Sequence, residues 1–235
     1  MNWQKICDDE ATLCSPKTLK NSLGLIRSVY RANGMELPPV TLPQIVSGGR
    51  MWLDDDEIKK LLAYVDGKRD ALVVYLALHS LRRSEIAGLT WDNVDLDRGT
   101  ITVKGAIVRN ADHEYVYKLT NKNASSQRTI PIMIPALREL LASTDDKTGF
   151  VCKIPVQSIS WYIDRACTAA GVTAVHAHGL RHSFASLCYH LGLSEMETMS
   201  LGGWSDNATM RKIYTHLYEA DKAKAVEKLS EFFSA

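Results

Sequence analysis

The sequence predicts a mainly helical α+β fold with a small three-stranded antiparallel sheet. Helical apolar spacing recurs along most of the 235 residues, and from Gly99 onward the pattern changes to short runs of β-branched and aromatic residues. Those runs are Thr100-Ile101-Thr102-Val103, Glu114-Tyr115-Val116-Tyr117 and Arg128-Thr129-Ile130-Pro131-Ile132, joined by polar turns. A chain of this length buries one full core and an appendage, since domains commonly run about 100 to 200 residues.

Near the N-terminus, Ser15 caps and Pro16 opens a helix to about Asn33, with Leu19, Leu23, Ile26 and Tyr30 at helical spacing. Beside that apolar face, Lys17, Lys20, Arg27 and Arg31 form a basic stripe within about 80° of arc. Pro38-Pro39, Pro43 and Gly48-Gly49 place a linker near residues 36 to 50. A new unit opens at Asp54, where Glu57 three positions on fits a helix N-terminus better than a metal site. Further helices are expected at Asp70 to His79, from Arg82 through Ile86, Pro135 to Ala142, Gln157 to Ala170, Gly179 to Leu191, Glu195 to Leu201, Asn207 to Ile213 and Ala220 to Phe233.

Composition narrows the classes. With 46% hydrophobic and 23% charged residues the chain reads as globular, and its longest apolar run, Ala71 to Leu78, falls far below the roughly 18 residues of a membrane span. The first residues lack a signal-peptide layout, and five cysteines without a Cys-x-x-Cys pair suit a reducing cytoplasm. Net charge is only +1, yet between Arg98 and Arg138 seven basic residues face two acidic ones, so that segment, Arg128 included, is a candidate DNA-facing surface.

The chemistry resides in separated polar residues. His178 and Arg181, three apart on a helix, share a face and can converge on a phosphate, the arginine through its planar fork and the histidine through proton exchange near neutral pH. A metal reading of His176, His178 and His182 lacks the further ligand and carboxylate base that zinc hydrolysis needs. Arg82 follows an apolar helix at a turn, with Glu85 placed to fix its guanidinium or the backbone. Lys122 lies in the polar turn before Arg128, where a lysine can protonate a leaving alkoxide. Trp204 and Tyr214 close the series.

Taken together, the Leu81-Arg82-Arg83-Ser84-Glu85 block, Lys122, His178-Gly179-Leu180-Arg181, Gly202-Gly203-Trp204 and Tyr214-Thr215-His216 resemble the tyrosine recombinase, or phage integrase, family over about residues 51 to 217. Ser15 to Ile45 resembles the last part of that family's core-binding domain. The resemblance implies residues 1–50 as a partial core-binding segment with linker, 51–217 as the catalytic domain and 218–235 as a C-terminal helix that docks between protomers. It implies Arg82, Lys122, His178, Arg181, Trp204 and Tyr214 as the catalytic set, with Glu85 in support and Lys17, Lys20, Arg27, Arg31 and Arg128 as DNA contacts. Tyr214 is the implied nucleophile, and Trp204, where members carry His or Trp, an N–H donor and packing element that transfers no proton.

The implied reaction is site-specific DNA cleavage and rejoining through a 3′-phosphotyrosyl intermediate, with no metal or other cofactor. The implied partners are double-stranded DNA and further copies of the chain, as a tetramer on DNA through the C-terminal helix, with the state without DNA, a monomer among the options, left open, and with no membrane. Two alternatives stand beside it. By the resemblance the chain begins partway through the core-binding domain, which suits a non-catalytic DNA-binding or regulatory fragment. The same chemistry also suits type IB topoisomerase-like relaxation.

Overall fold

The computed structural model describes residues 2–44, 52–119 and 127–204, and further on 214, 217, 221, 222, 226, 227 and 230–234. The chain divides into two compact units, Met1–Gly49 and Arg50–Ala235.

In the first unit, α1 (Trp3–Glu10) is capped by the Asn2 side chain and α2 (Pro16–Ala32) by Ser15, whose Oγ accepts from the Thr18 N–H at 3.2 Å. Cys7, Leu19 and Leu23 form a small core, and Trp3 meets Tyr30 edge to face at 5.7 Å. The α1 helix was not read from the sequence. Its apolar residues are too few for a clear period, and its start is marked only by the Asn2 cap.

The second unit is built around α4 (Ala71–Leu78), which is apolar on all sides. Such a helix is stable only when enclosed, and here seven of its residues are buried. Around it stand α3 (Asp55–Val65), α5 (Arg83–Gly88), α6 (Pro135–Ala142), α7 (Ile159–Ala170) and α8 (Ala177–His190), with α9 (Glu195–Gly202) beside α8. α3 starts with the reciprocal capping box expected at Asp54 and Glu57. Long-range polar bonds help fix the packing. Leu53 N–H donates to Ser183 Oγ at 2.8 Å, tying the start of the unit to α8, and Arg165 on α7 reaches both Asp70 oxygens at 2.6 Å.

A three-stranded antiparallel sheet is present, but its membership differs from the expected one. It joins β1 (Val94–Asp95), β2 (Thr100–Val103) and β5 (Arg128–Pro131), with Ile101 opposite Ile130 and Val103 opposite Arg128. The run at Tyr115 belongs elsewhere: among the described residues β4 (Tyr115–Leu119) pairs with β3 (Gly105–Arg109) in a separate hairpin. Residues 105–109 were not read as a strand, although a close sequence neighbour across the short turn at Asn110 is the pairing with the least loop to close. Gly88 then lets α5 press on this hairpin, because a Cβ there would lie 2.7 Å from Ala106 Cα.

Candidate active site

Three arginines gather where α4, α5, β5, α8 and α9 approach. After α4 the chain turns at Ser80, whose left-handed backbone (φ 69°) costs a residue with a Cβ about 1–2 kcal/mol. The turn is offset by what it allows: the Ser80 carbonyl accepts from Arg181 Nη1, a guanidinium only 2% exposed. The chain then enters α5 with Arg82 as N-cap. Glu85 accepts the Arg82 N–H on Oε2 and Arg82 Nη1 on Oε1, both at 2.8 Å. The same carboxylate receives a fork from Arg128, Nη1 to Oε1 at 3.1 Å and Nη2 to Oε2 at 2.7 Å. Burial by itself would raise the Glu85 pKa, but the bonds and charge of Arg128, with those of Arg82, outweigh it and hold the carboxyl down at about 2.

Arg128, expected on an exposed DNA-facing surface, is therefore found inside. Its side chain is 9% exposed, whereas that of Arg82 is 54% exposed. The cause is strand alternation: Arg128 lies on the same face of β5 as the fully buried Ile130, and Glu85 neutralises it there. That period-two position was the available signal, and the basic composition of the segment obscured it.

Arg181 is held from two sides. Its guanidinium carbon stands 4.0 Å from the centroid of the Trp204 ring, which stacks in turn on Phe184 at 5.9 Å. Trp204 reaches this place because Gly203 caps α9 in the left-handed region (φ 63°) and the Trp204 N–H closes on the Met199 carbonyl at 3.0 Å. Burial, then the charges of Arg82 and Arg128, lower the Arg181 pKa to about 9, so it is still charged at neutral pH. Among the described residues its Nη2 is buried without a hydrogen-bond partner, as is Arg128 Nε. A buried cationic donor left open is costly unless an anion completes it.

His178 lies in the first turn of α8, where the positive end of the helix dipole adds to the field of the arginines. Its Nε2 is 2.9 Å from that of His182, so one ring donates and the other accepts. Burial first, then Arg181 and Arg82, lower the His178 pKa, and burial with His178 and Arg181 brings His182 to about 4. Both imidazoles are thereby biased toward the neutral, proton-accepting form.

Tyr214 is not with them. Its hydroxyl bonds Thr198 Oγ1 and donates to the Leu193 carbonyl at 3.3 Å, and its ring meets Tyr189 edge-on at 5.3 Å. Tyr189 is eight residues beyond Arg181 on α8, about 12 Å along the axis. Burial, relieved in part by the Thr198 bond, and the neighbouring Cys188, Glu195 and Glu197 raise its pKa. The structure thus brings Arg82, His178, Arg181 and Trp204 together with Glu85 and leaves Tyr214 parked. Lys122 lies outside the described residues. In the first unit, Lys17, Lys20, Arg27 and Arg31 are all exposed on α2.

An arginine cluster of this composition on a mixed helical fold points to a class, and the comparisons agree with it. Residues 51–221 match the phage integrase family. The chain is 30% identical over 241 residues to tyrosine recombinase XerA of Thermococcus kodakarensis, covering 92% of this chain and 78% of XerA. It is 30% identical over 233 residues to XerC of Xanthomonas campestris pv. campestris, covering 86% and 65%. Of the XerC-like tyrosine recombinase of Caldanaerobacter subterraneus, 27% identical over 76% of this chain, it spans about half, 54%. Among solved structures, the Tn1549 transposon integrase in complex with transposon right end DNA has a TM-score of 0.74 at 17% identity, over 94% of this chain and 82% of that one. The crystal structure of XerA recombinase gives 0.57 at 21% identity, over 93% and 77%. The fold is that of the tyrosine recombinases, and the chain belongs to the phage integrase family.

Proposed function

We propose that the chain cuts and rejoins double-stranded DNA at a specific site, as an integrase acting in the cytoplasm. The observation that carries this reading is the cluster of Arg82, Arg128 and Arg181 around a single carboxylate, with the Arg181 Nη2 donor buried and open. Two cations in excess suit a phosphodiester whose nonbridging oxygens gain charge in the transition state. In the proposed reaction the Tyr214 oxygen attacks the phosphorus and the bond to the 5′-oxygen breaks. His178 takes the phenolic proton, Lys122 supplies one to the departing 5′-oxygen, and Arg82 and Arg181 balance the charge between them. One phosphoester replaces another, so a second 5′-hydroxyl can reverse the step. The parked Tyr214 hydroxyl has to leave Thr198 and Leu193 first.

Residues 1–50 serve in this reading as part of a core-binding segment whose α2 stripe follows the DNA backbone, and residues 51–217 as the catalytic domain. Residues 218–235 dock on a neighbouring copy in a DNA-bound tetramer. Supporting the last point, Val226, Phe232 and Phe233 are 56%, 77% and 80% exposed. A largely apolar cavity of about 280 Å³, lined by Leu62, Leu78, Phe184, Leu187, Leu191 and Leu193 among others, offers a seat.

The test is covalent capture. A pool of nicked duplexes of randomised sequence is incubated with the protein, and adducts are isolated and sequenced. A phosphotyrosyl adduct of defined sequence, lost in Tyr214→Phe, is expected. No adduct at saturating DNA would overturn the reading, and sequence-independent relaxation of supercoiled plasmid would replace it with a topoisomerase-like one.

A further inference from the structure

Arg128 reaches the carboxylate that also holds Arg82, with only 9% of its side chain exposed. Its fork takes one bond on each Glu85 oxygen, and each of those oxygens also takes one bond from Arg82. Its aliphatic stem lies against Gly203, where any Cβ would overlap it, one residue before the ring that carries Arg181. Glu85 is 6% exposed, so its charge acts in a medium of low polarity. Without Arg128, the Glu85 charge would be matched by Arg82 alone, and an incoming phosphate would compete with the carboxylate for that guanidinium. With Arg128 present, the carboxylate is neutralised from the buried side. Arg82 is held by its main chain and a single Nη1 bond, with half of its side chain open.

From this geometry, and resting on the function proposed above, we infer that Arg128 is a positioning residue for strand cleavage. It neutralises Glu85 so that Arg82 stays oriented while its charge remains available to the scissile phosphate. Arg128 itself touches no DNA.

The experiment uses the full chain and the duplex recovered by adduct selection, made with either the natural scissile phosphate or a neutral methylphosphonate in its place. Single-turnover adduct formation at saturating DNA is compared for wild type, Arg82→Ala, Arg128→Met, Arg128→Lys and the double variant Arg128→Met/Glu85→Gln, with Tyr214→Phe as the blank. Arg128→Met is expected to slow the phosphate reaction by about 100-fold, the scale of a lost charge-stabilising donor, with duplex affinity unchanged within about threefold. On the methylphosphonate, which lacks the charge that Arg82 balances, both it and Arg82→Ala fall by less than about 10-fold. Arg128→Lys keeps the charge and stays within about 10-fold of wild type on the phosphate. Removing the Glu85 charge as well makes the double variant at least about 10-fold faster than Arg128→Met.

Equal losses on both substrates, a loss confined to affinity, or a double variant no faster than the single one would each overturn the inference. Should Arg128→Met not fold, Arg128→Lys decides: a drop of more than about 10-fold on the phosphate overturns it. A wild type that forms no Tyr214-dependent adduct overturns the functional reading and this inference with it. A working wild type beside an unimpaired Arg128→Met overturns this inference alone.

Discussion

Acid should loosen this protein through one imidazole far from solvent. His79 is 0% exposed at the end of α4. Its Nδ1 is 2.8 Å from the Tyr75 carbonyl, which can only accept, so Nδ1 carries the proton. Nε2 accepts from the Met133 N–H at 2.8 Å and the Ile134 N–H at 3.3 Å, joining the chain just after β5 to the central helix. Protonating Nε2 would turn that acceptor toward two donors in a buried site, and burial lowers the pKa from 6.5 to about 4. Because the folded-state pKa is depressed, the stabilisation is complete above about pH 6.5 and is lost as pH falls toward 4. The difference of about 2.5 units corresponds to about 3 kcal/mol in full, of which about 2 kcal/mol is gone by pH 5.

The assay is urea unfolding followed by tryptophan fluorescence at a series of pH values from 8 to 4, for wild type and His79→Gln. Wild type should lose about 2 kcal/mol more than His79→Gln between pH 7 and pH 5, although the variant starts lower by about 1–3 kcal/mol for its imperfect bonds. The comparison also removes the acid response of the His178 and His182 pair, which both proteins share. Parallel pH curves for the two proteins would refute the reasoning.

Three further outcomes are expected. Gly88→Ala should destabilise by about 1–3 kcal/mol, because its methyl meets the Ala106 backbone and α5 must move off the hairpin; an unchanged thermal midpoint would contradict that packing. Thr198→Val removes a hydroxyl that holds Tyr214 away from the arginines, so single-turnover adduct formation should speed up by about fivefold, the worth of one hydrogen bond of about 1 kcal/mol; a slower reaction would show that Thr198 assists the nucleophile instead. Changing Lys17, Lys20, Arg27 and Arg31 together to Ala should flatten the salt dependence of duplex binding by about 3–4 in log–log slope, measured by anisotropy between about 50 and 200 mM salt; an unchanged slope removes α2 from the interface.

The sequence alone was enough for the helical features set by residues three or four positions apart where the pattern was strong, though not for α1 or the strand at 105–109. The Ser15 and Asp54 caps, the enclosed helix at Ala71–Leu78 and the shared face of His178 and Arg181 follow from helical geometry within three or four residues. The order of Arg82, His178, Arg181, Trp204 and Tyr214 was legible too, since a motif series needs no coordinates. Tertiary structure decided what depends on chain closure. Arg128 meets Glu85 across 43 positions, and its basic character pointed outward until the inward face of β5 was seen. Tyr214 meets Thr198 across 16 positions and stands apart from the arginines it was grouped with. Sheet membership likewise turned on which strands the short hairpin at Asn110 brought together. Local signals are written in backbone geometry shared by all chains. Which charge neutralises which, and where a hydroxyl rests, depends on partners that only the packed core brings within hydrogen-bonding distance.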